Sequence, residues 1–584
     1  MKLNLLKTCV PISALLLLSG CIDDNYDLSD IDKTTQINVK DLVLPVNIDA
    51  IELSQIINLA EDSKIKVITI DGKEVYAVTQ TGDFNSDPIE IDGFTAPAPA
   101  IDQAEATFEL QGTRATQTST YNLGAFTPQK VEFKATSIDE SIKQIDAIDC
   151  QPLPIDINLT TSGVGPDATL RFPTLTLEFL KGLTLQNLPS NYSYDSKTGL
   201  LTVTNLPCVN NKAVISLVAT AIDFSASGTK LEDHNFNYAS SIQLKDAVME
   251  MVVNYDNTSP DLPQEINFDI VTTVSDLVAT DFTGIIEYRL EGDALNIEPV
   301  VLSDIPDFLS DEKTELLLAN PQIYLSMNNP MATYDLGFQT GLQLTSIRDT
   351  ERSDYNLDNG QLVKVGTQYG VNGPYNFVLS PSMPSEPLSA YSKNLTHVGF
   401  KQLSDVLEGD GIPQSIEIAL IDPELPEQHV NRFRLFHSIP GIKGNYEFFA
   451  PLALKSGENG AVIFYTGTED GWSDEDLDKM TITHLEVTAD AFSNLPIGAE
   501  ATIHPINKDG NKIPNLTITP ANVSANANGE SIKLTVSGDI RNLDGIIYEA
   551  VVRAGSEDAL SPQQTLRLEN IRAKVSGYYI TDFN

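Results

Sequence analysis

Short runs in which apolar and polar residues alternate, bounded by turn residues, recur along most of this chain. Lys64–Ile70 and Val75–Thr79 are two such runs, and Asp71-Gly72 lies between them. Alternation with a period of two is typical of a half-buried strand, and a two-residue Asp-Gly connection favours a tight hairpin. Helical patterns are few and short, as in Ile51–Leu59. The pattern predicts a mainly β chain of tandem β-sandwich-like domains with few short helices.

Several segments recur in the same order in the second half of the chain. Leu217–Ser225 is similar to Leu485–Ser493, and Gly284-Ile285-Ile286 is similar to Gly545-Ile546-Ile547. We interpret these matches as an internal duplication that equates residues 35–295 with residues 300–584. The alternative is chance similarity among segments of a β-rich chain.

A chain of 584 residues has room for several domains of about 100–200 residues each. The duplication predicts two β-domains in each repeat, preceded by a leader and a tether. The predicted ranges are a signal peptide at 1–20, an acidic tether at 21–34, β-domains at 35–135 and 299–402, and β-sandwich domains at 136–298 and 403–584.

The first twenty residues have the pattern of an export signal. Lys2 and Lys7 give a positive start, and the uncharged, mostly apolar stretch Thr8–Gly20 is too short to span a bilayer. It ends in a bacterial lipobox, Leu18-Ser19-Gly20-Cys21. Small residues admit the signal peptidase, and the Cys21 thiol accepts the lipid, so the motif predicts an acylated Cys21. An ordinary secretory signal with a chance cysteine is the alternative.

An acidic run, Ile22–Asp32, follows the lipobox directly. It resembles the surface-export signal of Bacteroidota lipoproteins, and the chain as a whole resembles uncharacterised outer-membrane and surface lipoproteins of that phylum. The resemblance implies a lipid-anchored, surface-exposed protein of the outer membrane. It covers only the start of the chain, and a solvated tether without an address is the alternative.

The formal net charge of −44 restricts the partners. Nucleic acid and anionic lipid surfaces both repel a strongly acidic body. We therefore expect no nucleic-acid partner. The predicted partners are a membrane, through the lipid on Cys21, and a glycan or other envelope proteins.

Two cysteines, Cys150 and Cys208, remain after the signal and the lipidated residue are set aside. An extracytoplasmic compartment permits a disulfide, which would close a loop of about 60 residues and contribute about 4 kcal/mol by the chain-entropy model. Two free thiols are the equal alternative.

Motifs for catalysis, metals and cofactors are absent from the sequence. We find no zinc-ligand spacing, nucleophile elbow, phosphate-binding loop or dinucleotide fingerprint. The prediction is therefore a protein without enzyme activity, metal or cofactor. Carboxylates are so abundant that a paired-carboxylate hydrolase remains an alternative.

Trp472, the single tryptophan, lies in an acidic segment, Gly467–Asp478. An exposed indole beside carboxylates would make a platform for a sugar ring. The alternative is structural, with Ser473 and Asp476 capping a short helix that Trp472 staples to a sheet.

These observations predict a membrane-anchored envelope lipoprotein with a non-catalytic surface-binding or scaffolding role. Four alternatives stay open. The size is similar to glycan-capture lipoproteins of outer-membrane uptake systems. An adhesin or pilus component would use a detachable strand such as Val575–Ile580. A carboxylate-pair hydrolase and a lipid carrier are the others.

Overall fold

A computed structural model gives the fold, and strands dominate it. The structure describes residues 34–45, 51–57, 64–70, 72–110, 117–165, 167–226, 230–254, 265–290, 297–302, 311–366, 371–407, 413–458, 460–471 and 480–582. Strands make up 65% of the chain, and no helix in the described part reaches seven residues. The mainly β prediction is confirmed. In the described ranges, the helices are α1 (Leu53–Ile56) and short 3-10 turns at Phe224–Ala226, Ala332–Tyr334, Asp358–Gly360 and Lys401–Asp405.

The described residues form 35 strands, which we number in order. The N-terminal strands are β1 (Thr34–Pro45), β2 (Ile51–Glu52), β3 (Ile65–Ile70), β4 (Lys73–Asn85), β5 (Thr95–Ala96), β6 (Ala104–Glu109), β7 (Gln117–Leu123) and β8 (Gln129–Ala135). The next ten are β9 (Ile142–Ser162), β10 (Ala168–Glu178), β11 (Leu183–Leu185), β12 (Tyr192–Asp195), β13 (Leu200–Pro207), β14 (Lys212–Asp223), β15 (Lys230–Glu232), β16 (Asn235–Val253), β17 (Glu265–Val274) and β18 (Leu277–Arg289).

The second half of the chain continues in the same manner. It contains β19 (Val300–Val301), β20 (Gln322–Met327), β21 (Phe338–Arg348), β22 (Glu351–Asn356), β23 (Val363–Val365), β24 (Tyr375–Ser380), β25 (Leu395–Gly399), β26 (Ser415–Arg434) and β27 (Lys443–Pro451). The last strands are β28 (Val462–Glu469), β29 (Met480–Ser493), β30 (Ile497–Ile506), β31 (Thr517–Thr519), β32 (Ala521–Val523), β33 (Asn528–Ile540), β34 (Gly545–Ala554) and β35 (Thr565–Asp582).

These strands build three sandwich-like bodies. Sandwich I (142–289) pairs a seven-stranded sheet with one half of a twelve-stranded sheet. Sandwich II (300–451) combines the other half of that sheet with a six-stranded sheet, and the seam between the two halves is the β18–β26 ladder. Sandwich III (462–582) consists of a six-stranded and a four-stranded sheet.

The same strand topology occurs in all three sandwiches. In one sheet of each sandwich, the first strand lies between two strands that come later in the chain. In sandwich I, β9 lies between β14 and the collinear pair β17 and β18; in sandwich II, β20 lies between β24 and β27; in sandwich III, β29 lies between β33 and β35. In the facing sheet, the second strand is enclosed in the same way. β10 lies between β13 and β16, β21 between β22 and β26, and β30 between β32 and β34. A strand that precedes the first one pairs with the penultimate strand each time. The fold is therefore a threefold topological repeat.

The N-terminal strands complete the three sandwiches in reverse order. β1 pairs with the last strand of sandwich III, β4 with the last strand of sandwich II, and β6 with β17 of sandwich I. The chain thus passes along the bodies from III to I, adds strands to the sheets of each, and returns through them from I to III. Every sandwich contains a strand from the N-terminal segment.

Glycines in the last strands mark equivalent positions in sandwiches I and III. A Cβ on Gly284 would lie 1.9 Å from the carbonyl oxygen of Gln144 in β9, and one on Gly577 would lie 2.2 Å from that of Thr481 in β29. Both ladders shift register next to the glycine. Close backbone approach at a bulge requires glycine, so the two sandwiches share a local constraint as well as a topology.

The sheets assign the repeat differently from the sequence matches. Leu217–Ser225 begins in β14 and Leu485–Ser493 lies in β29, but the sheet order equates β29 with β9. These two segments are therefore not equivalent in sheet order, because alternating apolar residues recur along the chain and allow non-equivalent strands to match. The predicted twofold duplication stays a prediction beside the threefold strand topology. The four predicted domain ranges stay a prediction, and β26 pairs with β21 across the predicted boundary at 402.

Two local predictions can be compared directly with the structure. Ile70 pairs with Lys73, so the β3–β4 hairpin has the predicted two-residue turn. The helix predicted over Ile51–Leu59 is shorter than expected, because its first residues form β2, which pairs with β35, and α1 covers only Leu53–Ile56.

Candidate functional site

The residues predicted to carry function lie mostly outside the described part of the chain. This holds for the lipobox, Leu18, Ser19, Gly20 and Cys21, and for Trp472. Their roles stay predictions. Cys150 and Cys208 are described, and both are free thiols. Cys150 is buried on β9, where desolvation raises its pKa to about 11, and Cys208 is half-buried just after β13 in the facing sheet. Cys150 and Cys208 are therefore not bridged in the structure, which corresponds to the alternative of two free thiols.

A cluster of carboxylates and tyrosines lies on the outer face of the six-stranded sheet of sandwich II. It starts from the alternation in β27: Tyr446 and Phe448 face the main core, and Glu447 and Phe449 face the opposite side. The register places Tyr324 of β20 directly opposite Glu447. Asp83 of β4 lies opposite Asn445, one step along the same face.

The chain after β24 covers this outer face. Leu388, Tyr391 and Leu395 pack on it in a small apolar cluster with Tyr324 and Phe449. The rings of Tyr324 and Tyr391 stack at 5.0 Å between centroids. The Tyr324 hydroxyl accepts a hydrogen bond from the amide of Leu388 at 3.1 Å and donates one to Oε1 of Gln322 at 2.5 Å. The covering segment is therefore fixed by both apolar and polar contacts.

Burial and mutual contact perturb the ionisation of Glu447 and Tyr391. Desolvation raises the pKa of Glu447 above its ordinary value, and the hydrogen bond from Tyr391 partly opposes the rise. Desolvation, followed by the nearby charge of Glu447, raises the pKa of Tyr391 to about 12. The Tyr391 hydroxyl also lies 3.3 Å from Oδ1 of Asn445. We call Asp83, Tyr324, Tyr391, Asn445 and Glu447 the Glu447 cluster.

The Glu447 cluster has chemistry that sequence reasoning did not single out. A carboxylate with a raised pKa is a general-acid candidate, and Asp83 supplies a second carboxylate on the same face. The sequence signal was present, since Glu447 is a charge between three aromatic residues of one strand, Tyr446, Phe448 and Phe449. However, Tyr324 lies directly opposite Glu447, Tyr391 hydrogen-bonds to it, and the Glu447 side chain is half-buried.

A separate groove of about 450 Å³ lies at the edge of sandwich I. Its lining is mostly apolar and includes Pro189, Tyr192, Pro207, Val209 and Val214, with Lys212 as its charged residue. Val209 is 63% exposed and Val214 is 41% exposed, which shows that the groove is shallow. No carboxylate or histidine lines it, so it lacks the paired acids that a retaining or inverting glycosidase requires.

Charged contacts also concentrate at the seam between sandwiches I and II. His429 lies 3.4 Å from Asp146, and Arg432 lies 2.6 Å from Asp149. The rings of Phe282 and Phe433 meet there at 5.7 Å between centroids. These contacts join β26 to sandwich I. In the described residues, no group of three or more His, Cys, Asp or Glu side chains is placed to hold a metal ion.

Comparisons with known proteins give little similarity. No protein-family model matches the chain, and no curated protein matches it. A crystal structure of an inferred secreted protein from Parabacteroides distasonis is 12% identical, with 50% of this chain and 89% of that chain covered and a TM-score of 0.34. Such a low TM-score establishes no common fold. Among the described residues, no helix is both long and apolar enough to cross a membrane.

Proposed function

We propose that this chain is a non-catalytic lipoprotein of the cell envelope that acts as a surface scaffold, anchored through lipid on Cys21. The observation that carries the proposal is the reversed order of the N-terminal strands. Because β1 pairs with the last strand of sandwich III, the anchor leads into sandwich III first. Sandwiches II and I then follow along the chain, and the body extends away from the attachment point.

The spacing between anchor and body supports this orientation. About a dozen residues separate Cys21 from Thr34, and a fully extended stretch of that length spans at most roughly 45 Å. Sandwich III is therefore confined to the neighbourhood of the membrane. The formal charge of −44 and the acidic run Ile22–Asp32 oppose contact between the body and anionic lipid headgroups.

The two described sites favour a scaffold over an enzyme. The Glu447 cluster pairs a perturbed carboxylate with tyrosines, but its own chain packs over it. The groove in sandwich I is open but has no acid–base pair. An active site needs both features in one place.

A lipidation experiment tests the anchor. We expect Cys21→Ala to leave the membrane fraction, whereas wild type and the matched variant Cys208→Ser, which keeps the lipobox, remain in it. The measurement is palmitate labelling together with fractionation of outer membrane and soluble material. Retention of unlabelled Cys21→Ala in the outer membrane would contradict lipid anchoring and indicate a protein partner instead.

A labelling experiment tests the orientation. A fluorophore on Glu557→Cys reports on sandwich III, and one on Lys197→Cys reports on sandwich I, both in a Cys208→Ser background. With lipidated protein in vesicles that carry an acceptor dye, we expect stronger energy transfer from the position in sandwich III. Equal transfer from both positions would refute the proposed order while leaving the anchor intact.

A further inference from the structure

β1 is a strand of 12 residues whose described side chains are almost entirely exposed. Of the nine residues 35–43, eight are exposed and only Val39 is half-buried. Ile37 and Leu42 are each 49% exposed, although both belong to the row of β1 that continues the core face of the sheet. Apolar burial therefore contributes little to holding β1 in place.

Main-chain pairing holds β1 instead. Ten residues of β1 pair with β35, from Thr34 opposite Asp582 to Pro45 opposite Arg572. A bulge at Lys40 and Asp41 interrupts the ladder, and the Asp41 amide donates to Oγ of Ser576 there at 3.0 Å. Such a ladder depends on backbone geometry and register, which any identical strand reproduces.

β4 shows what an integrated N-terminal strand looks like. It occupies the same topological place in sandwich II, yet Tyr76, Ala77, Val78 and Phe84 are at most 4% exposed. Removing β4 would open a core, whereas removing β1 exposes chiefly a sheet edge. Loss of β1 therefore disturbs the core far less than loss of β4.

The chain after β1 is fixed again almost at once. Ile51 of β2 pairs with Leu566, the amide of Leu53 donates to the carbonyl of Gln564 at 2.9 Å, and Leu53 and Ile57 are buried. A separation of β1 from β35 thus has a natural end before Ile51. Only β1 would leave, and the rest of the N-terminal segment would stay on its own body.

We propose that the edge of β35 paired with β1 is a strand-accepting site, and that β1 of a second copy of this chain occupies it in a reciprocal, strand-exchanged dimer. The partner strand has the same sequence, so it restores the same ladder, the same bulge and the same bond to Ser576. Each copy regains the pairs that it loses, which makes protein concentration decisive. The exposed Ile37 and Leu42 give the exchanged strands apolar surface that can be shared between the two bodies.

Cysteine pairs across the ladder test the proposal in the full mature chain, purified with Cys21→Ala and Cys208→Ser. Asn38→Cys and Tyr578→Cys are directly opposite in the β1–β35 register. The matched control is Asn85→Cys with Lys443→Cys, which are directly opposite in the β4–β27 register. Opposed residues in a sheet are close enough for a disulfide.

The measurement is the fraction of disulfide that joins two chains, on non-reducing gels after incubation and brief oxidation. For the β1 pair, we expect that fraction to rise about tenfold when protein concentration rises about a hundredfold. The control pair should form its disulfide within one chain at both concentrations. Oxidation of the β1 pair before the protein is concentrated should prevent the dimer.

A second readout does not depend on disulfides between chains. A fluorescent peptide of residues 34–45 should bind stably to the chain without added cysteines and fail to bind after the β1 pair has been oxidised. Disulfides only within chains at every concentration, together with no peptide binding, would overturn the proposal. So would equal interchain linking of the control pair, since it would show nonspecific association.

Discussion

Sandwiches I and III share a strand order but differ in how deeply their strands are buried. In sandwich I, Leu170, Phe172, Leu175 and Leu177 of β10 are all at most 5% exposed. In sandwich III, the equivalent strand β30 (IGAEATIHPI) has glycine and alanine at several of its positions, and residues 546–552 of β34 are all half-buried. The separate core of sandwich III has six buried residues. The backbone ladder thus sets the topology, and side-chain volume sets the packing depth.

A pair of leucine substitutions should separate these two contributions most strongly. Leu153 of β9 is 0% exposed, and Leu485 of the equivalent β29 is half-buried. Leu153→Ala should destabilise sandwich I by about 2–5 kcal/mol, because it leaves a cavity in a packed interior. Leu485→Ala should cost sandwich III about 1 kcal/mol.

Hydrogen exchange resolved by peptide provides the measurement, since it reports the opening free energy of each sandwich separately. The protection of sandwich II serves as an internal control in both variants. A loss for Leu485→Ala as large as that for Leu153→Ala would show that the two cores are equally tight, which would break the comparison.

A pair of glycine substitutions should show the opposite, namely equal effects in the two sandwiches. Gly284→Ala and Gly577→Ala each place a methyl group against a main-chain carbonyl of the first strand. Because backbone cannot move aside cheaply, each should cost about 1–3 kcal/mol. The constraint belongs to the shared topology, so core depth should not change it.

Local hydrogen exchange around the two ladders checks this expectation. Gly124→Ala is the matched control, because nothing lies within 4 Å of a Cβ at Gly124. A tolerated Gly577→Ala beside a destabilising Gly284→Ala would mean that the looser sandwich yields at its backbone as well, and would sharpen the contrast between them.

The sequence predicts the strand class well because alternation is a local property. The β3–β4 hairpin needs only its apolar rows and the glycine of its turn, Gly72, which has a φ of +73°. The repeat register could not be found in the same way, since β14 and β29 have similar patterns but different neighbours. The pairing of β1, β4 and β6 with distant strands cannot be recognised from local sequence, because each partner lies more than 150 residues away along the chain. The Glu447 cluster depends equally on Tyr391, whose proximity follows only from the path of the covering segment.

Sandwich II extends the comparison to its six-stranded sheet, which has buried side chains on both faces. Glu447 on the outer face tests how much burial of a carboxylate there lowers the stability of the sandwich. Its pKa is raised in the folded state, mainly by desolvation, from an ordinary value of 4.5. A carboxyl whose folded pKa is raised binds its proton more tightly when folded. The stability that this provides is present below pH 4.5 and is lost as pH rises through the folded pKa. Glu447→Gln keeps the shape of the side chain and removes the charge.

We therefore expect Glu447→Gln to be somewhat more stable than wild type at pH 7 and to lose that advantage below about pH 4.5, where the wild-type carboxyl is protonated in both states. Urea midpoints of sandwich II across this range provide the measurement. Tyr391→Phe is the companion variant, because the Tyr391 hydroxyl lowers the pKa of Glu447. Without that hydroxyl, the loss of stability on ionisation of Glu447 should extend to higher pH than in the wild type. A Glu447→Gln chain that is less stable than wild type at pH 7 would mean that the ionised carboxylate is favoured in its place, and that the outer face of sandwich II is more polar than its packing indicates.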